Sequence, residues 1–471
     1  MTTIWWIRRD LRLHDNQALT AALEASTQVV SLFILDPTLL ESDYAGEKRI
    51  GFLFASLRKL SSELHEIGSR LIVRRGKPVN VLKGLDKELG VDGIFAEEDY
   101  SPYARRRDAA IQRSLPLHLK QGLTVFPPGM IEKKAGGPYT VYTPFRKSWE
   151  ALSPPARSSL LPAPNEIGQS IDIESENIPE SPEWPQDSGF PPGEQAARER
   201  LTAFTKGDDA PVYAYDDLRN QVDRDGTSRL SPYLRFGMIS LREAVIHALE
   251  ARNAAPNSKA RQGAQTWLQE LIWREFFINI LFHFPDVREH SFREEYRDIR
   301  WRNDESEFRA WQDGRTGYPI VDAAMRQLLT TGWMHNRARM IVASFLVKDL
   351  LIDWRWGERW FMQHLIDGDP AANNGGWQWS AGTGTDAAPY FRIFNPILQS
   401  EKHDPQVEYI RRWVPELREL PDVHLHKPWE TPVEVQHEAG VKIGDHYPEP
   451  LVDHQTARER TLEVYDHARS K

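Results

Sequence analysis

The chain has 471 residues, a formal net charge of −9, 40% hydrophobic and 27% charged residues, and no cysteine. That length holds two or three domains with sizeable cores; the missing cysteines exclude disulfides and thiolate metal sites, and no apolar run reaches the ~20 residues of a membrane helix. The charge does not exclude nucleic acid, because eight acidic and no basic residues fall between 165 and 197, so the rest is near neutral and free to carry a basic face.

In chain order, residues 3–7 predict a strand, and Asp15 or Asn16 caps a helix running to Glu24. Residues 29–35 are a second apolar strand, followed by a helix over 47–67 and a strand over 70–74. Pro78 opens a helix that Gly90 closes, and 93–97 is another strand. Short apolar strands between amphipathic helices indicate a parallel sheet with flanking helices, five strands in a Rossmann-like α/β domain over 1–130. Between about 135 and 193 Pro, Ser and Glu dominate and periodicity fades, so 131–197 reads as an extended linker. Over 198–471 helical patterns prevail, at 241–252, 261–283, 321–329, 336–353 and 358–365, so the larger C-terminal domain is all-α.

Two segments are too polar for the cores they should join: WMHNRARM at 333–340 and IDGDPAANNGGWQW at 366–379. Buried amides, guanidinia and carboxylates need partners, and a large polar ligand with aromatic faces supplies them. Thr227, Ser228, Arg229, Leu230 and Ser231 follow the turn Asp225-Gly226 and form an anion site at a helix start, or simply a capped helix. Trp267, Glu270, Trp273 and Arg274 share one helical face. They suit stacking and hydrogen bonding to a base, or a buried stripe with a Glu–Arg pair. Asn336, Arg339, Met340 and Ala343 share another face, with room for a planar ligand. Asp367 and Asp369 fit an Arg partner or a ligand N–H better than a metal, so no metal is expected. The GTGTDA segment at 382–387 does not follow a strand and is discounted as a dinucleotide loop. Trp301, Trp354 and Trp377 make an electron route if they line up toward the surface; singly, each is more often core.

Taken together, these motifs resemble the photolyase/cryptochrome family, and within it class I cyclobutane pyrimidine dimer photolyases. The likeness begins with WIRRDLRLHDN at 6–16, continues through 227–231, 267–276, TGYPIVDAAMRQL at 316–328, 333–340 and 367–379, and ends in YFRIFNP at 390–396. It implies an antenna domain, a helical FAD-binding domain, and a carbon–carbon lyase that repairs UV-damaged DNA by electron transfer from excited, reduced anionic FAD to a flipped-out dimer. By motif position Tyr215, Thr227, Ser228, Arg229, Leu230 and Ser231 line the phosphates and ribityl chain. Trp267, Arg274, Asn336, Arg339, Asp367, Asp369 and Asn373 surround the rings, with Asn373 at flavin N5 and Asp367 pairing Arg339. Glu270, Trp273, Asn336, Arg337, Met340, Trp379 and Arg392 meet the lesion or its backbone. Trp377, Trp354 and Trp301 carry electrons from the surface to the flavin.

The alternative within the family is a cryptochrome-type blue-light receptor, which often replaces Trp273 or Asn373; both are present here. A six-four photoproduct enzyme carries a histidine pair where this chain has Asn336 and Met340. For a second chromophore, Ala104 stands where folate-type members have Glu, so an 8-hydroxy-5-deazaflavin or FMN is expected, with Arg9 and Asp99 as contacts. The N-terminus lacks the layout of a signal peptide, and a cytoplasmic monomer with no obligate protein partner is expected.

Overall fold

The computed structural model describes residues 2–168 and 171–470. Five parallel strands, β1 (Thr2–Ile7), β2 (Gln28–Leu35), β3 (Leu71–Arg75), β4 (Val91–Glu97) and β5 (Leu117–Lys120), form one sheet in the order β3-β2-β1-β4-β5. Central β1 sets Ile4 opposite Val30 of β2 and Ile94 of β4. All of β1 is buried, as befits a strand covered on both faces, and so it reads as a continuous run rather than an alternation. The helices start and stop on local signals. Asn16 accepts from Leu19 N at the head of Gln17–Ala25, and Gly90 ends Pro78–Leu89 at φ 64°, a left-handed cap that favours glycine. Leu82, Leu85 and Ile111 from the helices close over Ile4, Trp6, Leu32 and Ile94 in one core.

Strand order reverses at β1, with β2 on one side and β4 on the other. Ligands of open parallel sheets bind outside the carboxyl ends of the strands at such a point. Arg9, just past β1, and Asp99, just past β4, meet there.

Contacts group the chain into two compact units that do not follow chain order. One comprises residues up to Asp216 with Ser228–Pro285 and Ile366–Ala371; the other comprises Asp217–Thr227, Asp286–Leu365 and the chain from Ala372 onward. Within the stretch expected as an extended linker, Tyr142–Glu150 is helical and buries Tyr142, Phe145 and Trp149; Gln169 and Ser170 of that stretch lie outside the described residues. The expected helix over 336–353 is also interrupted. It runs as Asn336–Ser344 and makes one π turn over Phe345–Asp349; the helix expected over 358–365 starts earlier, as Trp354–His364 capped by Asp353. The π turn points two polar residues inward, where each finds a partner: Lys348 Nζ donates to Ala381 O at 2.8 Å, and one Asp349 oxygen meets His454 at 2.5 Å. Periodicity does not predict the helix Pro370–Ala381, which carries much of the site.

Candidate functional site

The first unit gathers charge at the switch point. Arg9 donates to Asp369 at 2.5 Å and to Asp99 at 3.5 Å. Arg274, on the Ser258–His283 helix, lies 3.7 Å from the same Asp369 oxygen. Arg235 Nε donates to Gly368 O at 2.7 Å, and Arg49 is drawn to Asp367. Burial, then repulsion from Arg9, pushes Arg235 down to about 9; burial pushes Arg49 down to about 10. Burial alone would raise Asp99, but Arg9, the Ser101 N–H and Arg107 outweigh it and hold the carboxyl at about 2. Four largely buried guanidinia (Arg9, Arg49, Arg235, Arg274) therefore face three carboxylates (Asp99, Asp367, Asp369). The surplus positive charge is costly unless an anion joins it. Sequence reasoning missed Arg49 and Arg235, whose partners are far away along the chain.

Arg9, Asp99 and Ser101 line a crevice with Leu123, Ile278 and Leu281 whose free volume is only about 10 Å³. That volume is below the ~300–1,000 Å³ usual for small-molecule sites, and Arg9 and Asp99 already bind each other.

The Thr227–Ser231 segment does not form the capped helix that was its plainer reading. The helix Ser231–Phe236 has Leu230 at its N-cap and no side-chain cap bond. Arg229 sits at φ 48°, a conformation that non-glycine residues rarely take. Ser228 O accepts from Arg200 Nε at 3.0 Å, while Thr227 belongs to the second unit. Tyr215 and Trp267 are buried, each edge-on to Phe204 with ring centres 6.1 and 5.2 Å away. Trp273 and Glu270 are half-buried. Tyr142, from the unexpected helix, lies flat on Trp273, with 3.6 Å between ring centres and 9° between planes.

In the second unit, Asn220 Oδ1 accepts from Arg337 Nε at 3.1 Å and Nη2 at 2.7 Å. Burial, then Arg219, then Arg392 lower the Arg337 pKa. Three arginines thus converge on one place, with Asn220 as an anchor that spacing could not reveal. Asn336 is exposed and Met340 half-buried on the same helix; Arg339 Nε donates to Met334 O at 2.8 Å.

Asn373 is oriented by Glu358. Its Nδ2 donates to the Glu358 backbone O at 2.9 Å and to Oε1 at 3.1 Å. A backbone carbonyl only accepts, so the amide nitrogen must face Glu358, and the carbonyl Oδ1 faces the other way. Glu358 is 4% exposed, and burial pushes its carboxyl up to about 7 against the pull of Arg288, Asn373 and Arg359. A Cβ on Gly376, one turn beyond Asn373, would meet nothing within 4 Å. Gln378 and Asn374 hold the helix from behind, donating to Val287 O at 2.7 and 2.9 Å. Tyr465 joins Lys348 on Ala381 O, at 2.8 Å, at the helix's C-terminal end.

Trp354 and Trp377 are buried, and half-buried Trp301 packs on the same core. Trp377 lies flush on the Trp354–His364 helix because Gly357 makes room: a Cβ there would stand 2.1 Å from Trp377 Cη2. Trp379 is half-buried and Arg392 exposed.

Two family models match, "DNA photolyase" over residues 3–165 and "FAD binding domain of DNA photolyase" over 267–467. The chain is 42% identical to the deoxyribodipyrimidine photo-lyase of Agrobacterium fabrum, across 98% of this chain and 97% of that one. The solved structure of a bacterial class III photolyase from Agrobacterium tumefaciens is similar with TM-score 0.92 and 39% identity, covering 100% of this chain and 98% of its own. An archaeal photolyase from Sulfolobus tokodaii, solved with two FAD molecules, is similar with TM-score 0.82 and 34% identity, over 99% and 100%.

Proposed function

The chain belongs to the photolyase/cryptochrome family, and from that premise we propose that its residues hold FAD and a UV-induced cyclobutane pyrimidine dimer for light-dependent repair of DNA. The donor set fits FAD. The surplus guanidinium charge of the first unit suits an anionic ligand, and the Asn373 carbonyl suits a flavin N–H. Ser228, Arg229, Leu230, Ser231 and Tyr215, together with Thr227, are assigned to the phosphates and ribityl chain. Trp267, Arg274, Asn336, Arg339, Asp367, Asp369 and Asn373 are assigned to the rings. When bound, reduced and excited by blue light, FAD supplies the electron that opens the cyclobutane ring and takes it back.

The observation that carries the DNA reading is the convergence of Arg219, Arg337 and Arg392. Like charges held together at a cost in mutual repulsion are the footprint of a phosphate backbone. Beside Arg337 on its helix, Met340 faces the flipped lesion, and Trp379 offers it a stacking surface. Glu270 donates to, or accepts from, a pyrimidine edge, and Trp273 stacks on a base with the face that Tyr142 leaves. Flipping costs a few kcal/mol, least for a damaged pair, and each stacked base returns about 1–3 kcal/mol. Trp377, Trp354 and Trp301 are assigned as the route that keeps the flavin reduced.

For a second chromophore, an 8-hydroxy-5-deazaflavin or FMN at Arg9 and Asp99 is the reading; both residues lie at the switch point, and the small crevice beside them has to open for either to enter. The absorbance spectrum of the native protein tests it, since a chromophore other than FAD adds its own band. Among the described residues no helix is long and apolar enough to cross a membrane; a cytoplasmic monomer is proposed, and light scattering tests the monomer. The repair reading is tested by incubating the purified chain with a thymine-dimer oligonucleotide in the dark and in blue light. Dimer loss only in the light is expected, and equal dimer content in both arms overturns it.

A further inference from the structure

Residues Asp217–Thr227 belong to the second unit although the chain on either side of them belongs to the first. They form a tight loop. Val222 is buried in the apolar core of the second unit, and its N–H donates to His403 O at 3.0 Å. The His403 ring, itself buried, donates to the backbone carbonyl of Asn220. Gln221 N donates to Leu218 O at 2.9 Å, and a Cβ on Gly226 would stand 2.7 Å from Leu218 Cβ, so the loop closes only because glycine is there. Asn220 is thus held by its own carbonyl and by Val222 two residues on.

The Asn220 side chain faces Arg337. Its Oδ1 accepts from Nε at 3.1 Å and from Nη2 at 2.7 Å, two of the five guanidinium N–H groups. An amide orients the guanidinium and leaves its charge whole; a carboxylate in the same place binds it more tightly and cancels it. Among the described residues Arg337 pairs with no carboxylate, and the charges acting on it are those of Arg219 and Arg392, both repelling. His403 adds no charge of its own, because burial, then Arg337 and Lys402, push it down to about 4. A carboxylate at position 220 would relieve the repulsion in the free protein. The amide leaves that relief to a phosphate.

We infer that Asn220 is a positioning residue for DNA binding, which fixes the direction of the Arg337 guanidinium without neutralising it, a role that rests on the DNA reading above. His403 supports it by fixing the Asn220 backbone. With Arg337 ordered before DNA arrives, less side-chain freedom is lost on binding.

The test is fluorescence anisotropy of the full-length, flavin-loaded protein with a thymine-dimer oligonucleotide across a salt series, for N220A, N220D, R337A and N220A/R337A. N220A frees the Arg337 side chain but keeps its charge. It is expected to bind about 3–10-fold more weakly, with the wild-type slope of log K against log salt. N220D keeps both hydrogen bonds and cancels the charge, so its slope is expected to fall by about one, as in R337A, while its Tm does not fall. N220A/R337A is expected to bind no more weakly than R337A, since Asn220 acts only through Arg337. Wild-type affinity in N220A overturns the inference, as does a wild-type slope in N220D, or losses that add in the double variant. Where N220A lowers the Tm, the slope of N220D and the double variant decide. A wild-type protein that binds no dimer oligonucleotide refutes the DNA reading itself, and the role of Asn220 with it.

Discussion

Glu358→Gln should leave the chain no less stable than the wild type in acid and markedly more stable above neutral pH. Burial raises the Glu358 carboxyl from its ordinary 4.5 to about 7. Below pH 4.5 the group is protonated in the folded and unfolded chains alike, and its contribution is fully present. Between 4.5 and 7 the unfolded chain has released the proton and the folded chain has not, so stability falls as pH rises. Above 7 the full difference is lost, about 3 kcal/mol at 1.36 kcal/mol per unit. The substituted amide does not titrate, yet its oxygen still accepts from Asn373 Nδ2, so the change removes the pH-dependent cost and keeps the orientation. The assay is thermal or urea unfolding of both proteins from pH 4 to 9. A stability difference that stays constant across that range refutes the reasoning, because Glu358 would then titrate alike in both states.

Trp377→Phe should slow photoreduction of bound oxidised FAD while sparing repair by chemically reduced protein; unchanged photoreduction contradicts the assignment of that tryptophan. Arg337→Ala should weaken DNA binding by about the same factor for all sequences and lower the slope of log K against log salt by about one, measured by fluorescence anisotropy across a salt series. Gly357→Ala places a Cβ 2.1 Å from Trp377 Cη2 and 2.7 Å from Leu346 Cδ2. It should cost about 1–3 kcal/mol by overpacking, read as a lowered Tm, and an unchanged Tm would mean that Trp377 moves aside freely.

The α/β part was legible because its signals are local. Apolar runs such as TTIWWI, the Asn16 cap and the Pro78 and Gly90 boundaries each act within a few residues. The helix Pro370–Ala381 was not legible, since Asn373, Asn374, Gly375 and Gly376 are poor helix formers and its support is tertiary, from Val287 O and Lys348. For the same reason the pattern over 336–353 ran straight through the π turn: nothing nearby in sequence says that Lys348 and Asp349 find their partners at Ala381 and His454. At the candidate site, spacing singled out Asn336, Arg339 and Met340, the paired carboxylates singled out Asp369, and the family resemblance added Arg337 and Asn373. None of these signals could single out Asn220, Glu358 or Arg235, which matter only through partners that folding brings to them.

With Tyr142 flat against its back, Trp273 is a wall and not a shelf. At most one face is left to a ligand, so no base can slide between this indole and a second protein ring on the covered side. An undamaged single strand therefore gains from Trp273 at most one stacking contact, about 1–3 kcal/mol. That is too little to hold a passing strand against its own mobility. Two pyrimidines already welded together arrive with their relative orientation fixed before binding, and lose less freedom on meeting the same wall. Discrimination for damage can thus begin with an aromatic ring that is half withheld.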